Sequence, residues 1–469
     1  MNSKTDQVQA HRFMLGRLTS ALLRIDPDAP ESPLHRTYRG STIGGLIATV
    51  VCLAMLLFGL VSPGANKTWK VDGTLVVVDT TGARFLYAGG KLLPVLNFAS
   101  AKLKAGGQLK VKHLDEKSLR DVPRGDPLGI IGAPDALPAL ASDPWQVCAS
   151  IGRDQAGPTS LRVGGDGNAK PLGEDEAAVV RTKDGATSLL WRGKRHRVLT
   201  DRGALDALDG VLQPAEVPSA LLDALPAGPD FGPRAIAGLG TPGPRLGAVE
   251  SKIGRIYSVA GGPAETYVLT TSGFTPISQL DVRLLTADPQ VRAAAYGGGE
   301  VTVTQLPGRV IGEHLSKNEA PSPVRPPRAV AVHTGQGLCA VVLPDGGTAR
   351  TQIALTDRVT EDGQPPFSQP GVTAPCTKVD RIAVRPGTGA LVKAAAASGR
   401  VGDALYLVTD TGVKYPVPPE GAKALGYDSA VAIGLPTTLL ALLPTGAPLD
   451  PMTLRNGGAV LPAASTCGT

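Results

Sequence analysis

"LYLVTDTGVKYPV", Leu405 to Val417, runs β-branched and aromatic residues into Thr411-Gly412 and out again. Thr-Gly between apolar runs predicts a hairpin, because glycine accepts the positive φ that a tight turn needs. The stretch echoes "LVVVDTTGARFLY", Leu75 to Tyr87: with Gly82 set on Gly412, Val78 falls on Val408, Arg84 on Lys414 and Phe85 on Tyr415. "YVLTTSGFTPI", Tyr267 to Ile277, and "AVVRTKDGATSLLW", Ala178 to Trp191, repeat the pattern, the latter through Asp184-Gly185. A second echo links "VPSALLDALPAG", Val217 to Gly228, with "LPTTLLALLPTG", Leu435 to Gly446. Proline ahead of a Leu-Leu pair, then Pro and Gly, predicts a short helix with its stop signal. The expected unit is a hairpin plus one short helix, too small to bury a core alone, which must pack on its neighbours or on a shared sheet.

"AVAVHTGQGLCAVVLPDG", Ala329 to Gly346, alternates like longer strands, and "DPWQVCAS", Asp143 to Ser150, is read with it as part of a central β-domain. The composition agrees: 58 Gly and 41 Pro in 469 residues with 4% aromatics favour turn-rich β structure over a helical bundle. The expected fold is mainly β with short helices (α+β): one N-terminal transmembrane helix, then four hairpin-plus-helix repeats around a central β-domain. Its divisions are 1–41 N-terminal segment, 42–62 span, 63–110 first repeat, 111–172 and 311–396 central domain, 173–249 and 250–310 second and third repeats, 397–450 fourth repeat, and 451–469 tail.

Ile43 to Val61, "IGGLIATVVCLAMLLFGLV", is 19 residues without a charge, and Pro63-Gly64 follows. A helix of that length rises about 28 Å, close to the hydrocarbon thickness of a bilayer. Arg24, Arg36 and Arg39 before it, against Lys67 and Lys70 after it, give a slight positive-inside bias. Cys148, Cys339, Cys376 and Cys467 all follow the span, an even set with three possible pairings that suggests an oxidising compartment on that side. The N-terminus is therefore expected in the cytosol and the large C-terminal part outside. "HRFMLGRLTSALLRI", His11 to Ile25, sets Met14, Leu18, Leu22 and Ile25 on one helical face with Arg12, Arg17 and Arg24 mostly off it. Such a basic amphipathic helix lies on a membrane surface or docks on a partner.

Catalytic signals are sparse. The six histidines stand singly at His11, His35, His113, His196, His314 and His333, without metal-ligand spacing. "GGKLLP", Gly89 to Pro94, has the Gly-Lys pair of a phosphate loop but leucine where the hydroxyl belongs, and "YGGGEV", Tyr296 to Val301, lacks the lysine. The acidic "GEDEAA", Gly173 to Ala178, reads as a solvated edge. A net charge of +6 without a Lys/Arg stripe or interleaved aromatics gives no argument for nucleic acid. No cofactor is expected, and the residues point to a membrane-anchored scaffold or interaction protein.

Five stretches in one order carry a resemblance: "QVQAHRFMLGRLTSALLR" from Gln7 with the span after it, "GARFLYAGGKLLPVLNFASAKL" from Gly82, "VPRGDPLGIIGAPDALP" from Val122, "WQVC" from Trp145 and "LCAVV" from Leu338. Together they look like the EccB component of actinobacterial type VII (ESX-type) secretion systems. The resemblance implies a single-pass inner-membrane subunit with a cytosolic N-terminus and an elongated periplasmic part. Its implied partners are an EccC-type ATPase, EccD, EccE, a mycosin protease, other EccB copies and the lipid bilayer. It places partner docking on His11, Arg12, Phe13, Leu15, Arg17 and Leu18, and a disulfide between Cys148 and Cys339; Cys376 and Cys467 receive no role from it. Two alternatives to the scaffold reading are an ATP-hydrolysing secretion component, because some family members are called ATPases, and a membrane-anchored cell-wall binding protein. A row of surface Trp or Tyr would favour the latter, and the chain has 3 Trp and 8 Tyr.

Overall fold

A computed structural model describes residues 4–24, 33–61, 67–152, 155–164, 169–209, 213–246, 250–262, 265–317, 324–345, 348–360, 362–396, 399–455 and 459–461. Ile25, Pro63-Gly64, Gly346, Cys467 and most of the final tail lie outside these. The chain forms two compact units. One holds Met1–Lys70 with Val78–Thr81 and His113–Val122; the other holds Val71–Val77, Gly82–Lys112 and Pro123–Thr469.

The larger unit is organised by a six-stranded sheet: β1 (Trp145–Ile151), β2 (Ala156–Val163), β3 (Lys170–Pro171), β4 (Gly337–Asp345), β5 (Thr348–Thr356) and β6 (Arg381–Val384), in the order β6-β2-β1-β4-β5-β3. Alternation sorts its faces. Trp145, Val147, Ala149 and Ile151 of β1 join Leu338, Ala340 and Val342 of β4 in one buried cluster. The two Leu-Leu stretches supply the cover: Leu221, Leu222 and Leu225 follow or lie in the helix Ser219–Asp223, and Leu439, Leu440 and Leu443 do the same at Thr437–Leu440. Leu221 and Leu439 are both 0% exposed, and burying each contributes about 2 kcal/mol. On the opposite face Cys148 and Cys339 pack with Ala354. They stand directly opposite in the β1–β4 register and form a disulfide, with 4.1 Å between Cα atoms and 191 residues between them in sequence. Cys376 is also disulfide-bonded.

Four further sheets share one order, third-second-first-fourth strand, in which an antiparallel meander is followed by a return strand beside the first. The first comprises Thr74–Val78, Arg84–Ala88, Lys91–Pro94 and Lys110–Leu114. The second comprises Glu176–Arg181, Thr187–Trp191, Lys194–Arg197 and Ala215–Glu216; the third Ile256–Val259, Thr266–Thr270, Gly273–Ile277 and Val303–Leu306. The fourth comprises Thr388–Ala395, Val401–Val408, Lys414–Pro416 and Ile433–Pro436; a fifth short strand also pairs with the first strand of two sheets, Arg328–Ala329 in the second and Ala139–Leu140 in the fourth. In the last three the return strand is parallel to the first. A helix (Phe98–Ala105, Gln279–Ala287 or Pro419–Leu425) bridges third and fourth strands, and two 3-10 turns do so in the second sheet.

This corrects the expected unit in three ways. It is a meander, a helix and a return strand rather than one hairpin. The Leu-Leu helices follow the return strand and cap the central sheet. The hairpin echo is also one strand out of step: Leu75–Tyr87 and Ala178–Trp191 join first to second strands, whereas Tyr267–Ile277 and Leu405–Val417 join second to third. Turn chemistry explains the echo, since Gly82, Gly185 and Gly412 take φ of 68°, 86° and 74° in either hairpin. The strand Thr388–Ala395, placed by sequence in the central domain, pairs with Val401–Val408 and belongs to the fourth sheet. Lys110–Leu114 likewise extends the first sheet beyond residue 110.

One contact recurs in register. The third strand of each sheet accepts an extended segment beside it: Arg195 donates to Pro226 O (3.0 Å) and accepts from Gly228 N (2.8 Å), and Lys414 does the same with Pro444 (2.9 Å) and Gly446 (2.8 Å). Leu92 repeats it with Pro123 (2.9 Å) and Gly125 (3.0 Å). The glycine is required for close approach: a Cβ at Gly125, Gly228 or Gly446 would lie 2.5, 2.3 or 2.2 Å from Leu93, His196 or Tyr415. In the third sheet Phe274 bonds His314 and Ser316; Thr275 there replaces the large side chain and Ser316 the glycine. Lys414 is therefore the counterpart of Leu92 and Arg195, not of Arg84. Arg195 meets Asp223 at 3.3 Å, whereas Ala441 stands at Asp223's place in the fourth unit and the Lys414 amine donates to Leu443 O at 2.7 Å.

Two outcomes follow. Gly446→Ala should push the buried Tyr415 ring and cost about 1–3 kcal/mol, read as a lower unfolding temperature of the full chain in uncharged detergent; an unchanged midpoint would refute the close-approach role. Burial lowers the Lys414 amine from 10.5 to about 8. Between those values the unfolded chain holds a proton that the folded chain has released, so stability rises with pH. Lys414→Met should raise stability at neutral pH and remove the rise above pH 8. Above about pH 10 the trend reverses, because burial also raises Tyr415 and Tyr427, which stay neutral in the fold while unfolded tyrosines ionise.

Candidate functional site

Most of the exposed large apolar side chains among the described residues lie on two helices. Helix α1 (Lys4–Arg24) and helix α2 (Pro33–Val61) both belong to the smaller unit. On α1 the residues His11, Arg12, Phe13, Leu15, Arg17 and Leu18 are all exposed. Helical periodicity groups Leu15 and Leu18 with Met14, Leu22 and His11, and turns Arg12, Phe13 and Arg17 away from that stripe. Phe13, Leu15 and Leu18 are 67%, 50% and 60% exposed, so at least half of each lies open. The Arg17 guanidinium lies 5.9 Å from the centre of the Phe13 ring, a cation–π contact that holds a charge beside an apolar surface. The helix begins at Lys4, earlier than the stretch from His11 singled out by sequence. In α2 the segment Thr37–Phe58 has a mean hydropathy of 2.2 and none of it is buried. A bare apolar helix of 22 residues fits the thickness of a bilayer.

The stretches that most resemble phosphate loops have backbone roles instead. Gly89-Gly90 is a two-residue hairpin turn between Ala88 and Lys91, with φ of 55° and 75°. Gly297, with φ of 64°, ends the helix Pro289–Tyr296 and donates to Arg292 O. In the acidic run, Glu176 accepts from Gly173 N at 3.0 Å and pairs with Arg328, while the carbonyl of Glu174 accepts the Trp191 indole N–H at 2.8 Å. Glu176 is thereby held below the usual carboxylate range, first by the Gly173 amide and then by Arg328. Its strand lies inside the second sheet, not at an edge. Among the described residues no group of three or more His, Cys, Asp and Glu is arranged to hold a metal ion.

The residues that sequence reasoning missed are those joining the sheets. Arg202 donates from Nε to Asp288 Oδ1 at 3.0 Å, and Asp288, fully buried, also accepts from Gln290 N at 2.9 Å. That bidentate pair raises the arginine's pKa and ties the turn after the second sheet's meander to the helices of the third. Asp288-Pro289 is a legible helix start, but its distant arginine has no local signal.

The family model described as "Type VII secretion system ESX-1, transport TM domain B" matches residues 2–456. The "ESX-2 secretion system ATPase EccB2" of Mycobacterium tuberculosis is 27% identical, covering 96% of this chain and 93% of that protein. The "ESX-3 secretion system ATPase EccB3" of Mycolicibacterium smegmatis is also 27% identical, with 92% and 85% covered. Among solved structures, a chain of an intact ESX-5 inner membrane complex superposes with a TM-score of 0.62 at 22% identity, covering 100% of this chain and 98% of that one. A chain of the EccB3 dimer from the ESX-3 core complex gives 0.62 at 24%, covering 81% and 98%. These two likenesses establish the shared fold, and the match along nearly the whole length establishes the kinship: the chain belongs to the EccB family of type VII secretion systems.

Proposed function

We propose that this chain is the membrane-anchored structural subunit of a type VII secretion complex, held by α2 and contributing interfaces rather than chemistry. The family match over residues 2–456 carries the reading. The bare apolar α2 supports the membrane location. In the proposed orientation α1 is cytosolic and the sheet-bearing part lies in the periplasm, where the Cys148–Cys339 disulfide is chemically at home. The four sheets of one order act as copies of one module around the central sheet, and their surfaces meet other EccB copies and a mycosin-type protease. The α1 residues His11, Arg12, Phe13, Leu15, Arg17 and Leu18 dock on cytosolic or juxtamembrane parts of an EccC-type ATPase, EccD or EccE. ATP hydrolysis belongs to the EccC-type partner.

Affinity-tagged chain extracted from its own membranes in mild detergent should run as a very large species containing those partners by mass spectrometry. Leu15→Asp/Leu18→Asp should keep the exported part folded, judged by its intact disulfide, and lose the ATPase subunit from the co-purified set. A lone small species from the wild-type chain would overturn the reading, and a double variant that retains every partner would overturn the docking role of α1.

A further inference from the structure

Where the second sheet, the central sheet and the fourth sheet meet, they line an open cavity of about 430 Å³. Its charged lining residues are Arg192, Lys194, Arg195 and Arg350, with no carboxylate among the lining residues. Arg195 has Asp223 at 3.3 Å, but Arg192, Lys194 and Arg350 form no ion pair among the described residues. Thr348, Thr351, Thr437 and Thr438 add hydroxyls to the same wall. Glu174 and Glu176 line an adjoining cleft that shares Arg192 and Arg350, and there Glu176 is already paired with Arg328. Like charges gathered in a cleft repel one another unless an anion enters between them.

The backbone fixes the first of these cations at a cost. Trp191 and Lys194 pair across a two-residue turn, and Arg192 in that turn has φ of 47°, alone among the described non-glycine residues in being positive. Asn, Asp or Gly would take that conformation more cheaply. The turn is set against the central sheet: Thr351 Oγ1 donates to Gly193 O at 2.5 Å, and a Cβ on Gly193 would lie 2.0 Å from Thr351 O. Arg192 stacks on Trp191 with 4.6 Å between guanidinium and ring, and its Nε donates to the Glu174 carbonyl at 3.4 Å, so the charge is held at the boundary between this cleft and the adjoining one. Arg350 stands one residue before Thr351 on β5, and Lys194 one residue after Gly193.

We propose that this cavity binds a diphosphate-type anion. Planar guanidinium groups fit phosphate oxygens in bidentate fashion, and three cations without an ion-pair partner favour a ligand carrying at least two negative charges. The walls beyond the cations, including Leu225, Pro226, Ala395 and Val401, are apolar, so the group could be free or carried on a lipid chain. The proposal is one of binding and includes no transfer step.

Inorganic pyrophosphate titrated by calorimetry into the full chain in uncharged detergent should bind saturably, with a Kd of about 0.1 mM or tighter. Lys194→Gln/Arg350→Gln, both at exposed positions, should weaken it at least about 10-fold. Arg197→Gln, outside the cavity, should leave it unchanged. A short prenyl diphosphate as a second ligand separates the sources: tighter binding than pyrophosphate assigns the group to a lipid carrier, and equal binding assigns it to a free oligophosphate. No saturable binding, equal loss in the Arg197 control, or citrate binding as tightly as pyrophosphate would each overturn the proposal.

Discussion

The pairing of β1 with β4 is the constraint on which the rest depends. The two strands lie 191 residues apart at their disulfide, and everything in the second and third sheets is strung between them. Closing so long an excursion is entropically expensive, and the reward comes only when Trp145, Val147, Leu338 and Ala340 are buried together. The disulfide offsets about 3–5 kcal/mol of that cost by loop closure. Once the pairing exists, its apolar face accepts the Leu-Leu helices of the second and fourth units, so the same core that closes the excursion also anchors two of the outer sheets.

Much of this was legible in sequence where local chemistry is strong. The hairpin turns, the Leu-Leu helices, the apolar span and both pieces of the central sheet follow from glycine placement and alternation. The shared strand order was harder to see. Its return strands are short (Ala215–Glu216 has two residues), and a parallel strand buried by its neighbours has no alternation to announce it. The hairpin echo misled because Thr-Gly serves first-to-second and second-to-third turns equally well. A better guide to register was present in "LLPV", "FTPI" and "KYPV", at Leu92, Phe274 and Lys414, each followed by a helix start. Pro123-Arg124-Gly125 belonged with the two later Pro-x-Gly stops but lacked a Leu-Leu helix before it, so sequence did not connect them.

The candidate site was legible in a different sense. The apolar stripe of α1 could be named, because an amphipathic helix has a period, whereas the proposed docking residues and the two paired cysteines came through the family resemblance. The cluster at Arg192, Lys194 and Arg350 depends on segments from two sheets far apart in sequence, which no local window contains. The same division explains the character of the molecule. Gly228, Gly446, the Tyr415 ring and the Lys414 amine serve to close segments onto one another, while most of the exposed large apolar side chains among the described residues sit on α1 and α2. Such a chain presents interfaces at fixed positions, and its function lies in what those surfaces hold.

The most direct test is the thermal unfolding of the full chain with Cys148→Ala and Cys339→Ala together, against the wild type in the same uncharged detergent. If the β1–β4 closure holds the sheets of the larger unit together, the midpoint falls by about 5 °C or more, and the outer sheets lose hydrogen-exchange protection along with the central one. An unchanged midpoint, or outer sheets that keep full protection while β1 and β4 exchange, would contradict it.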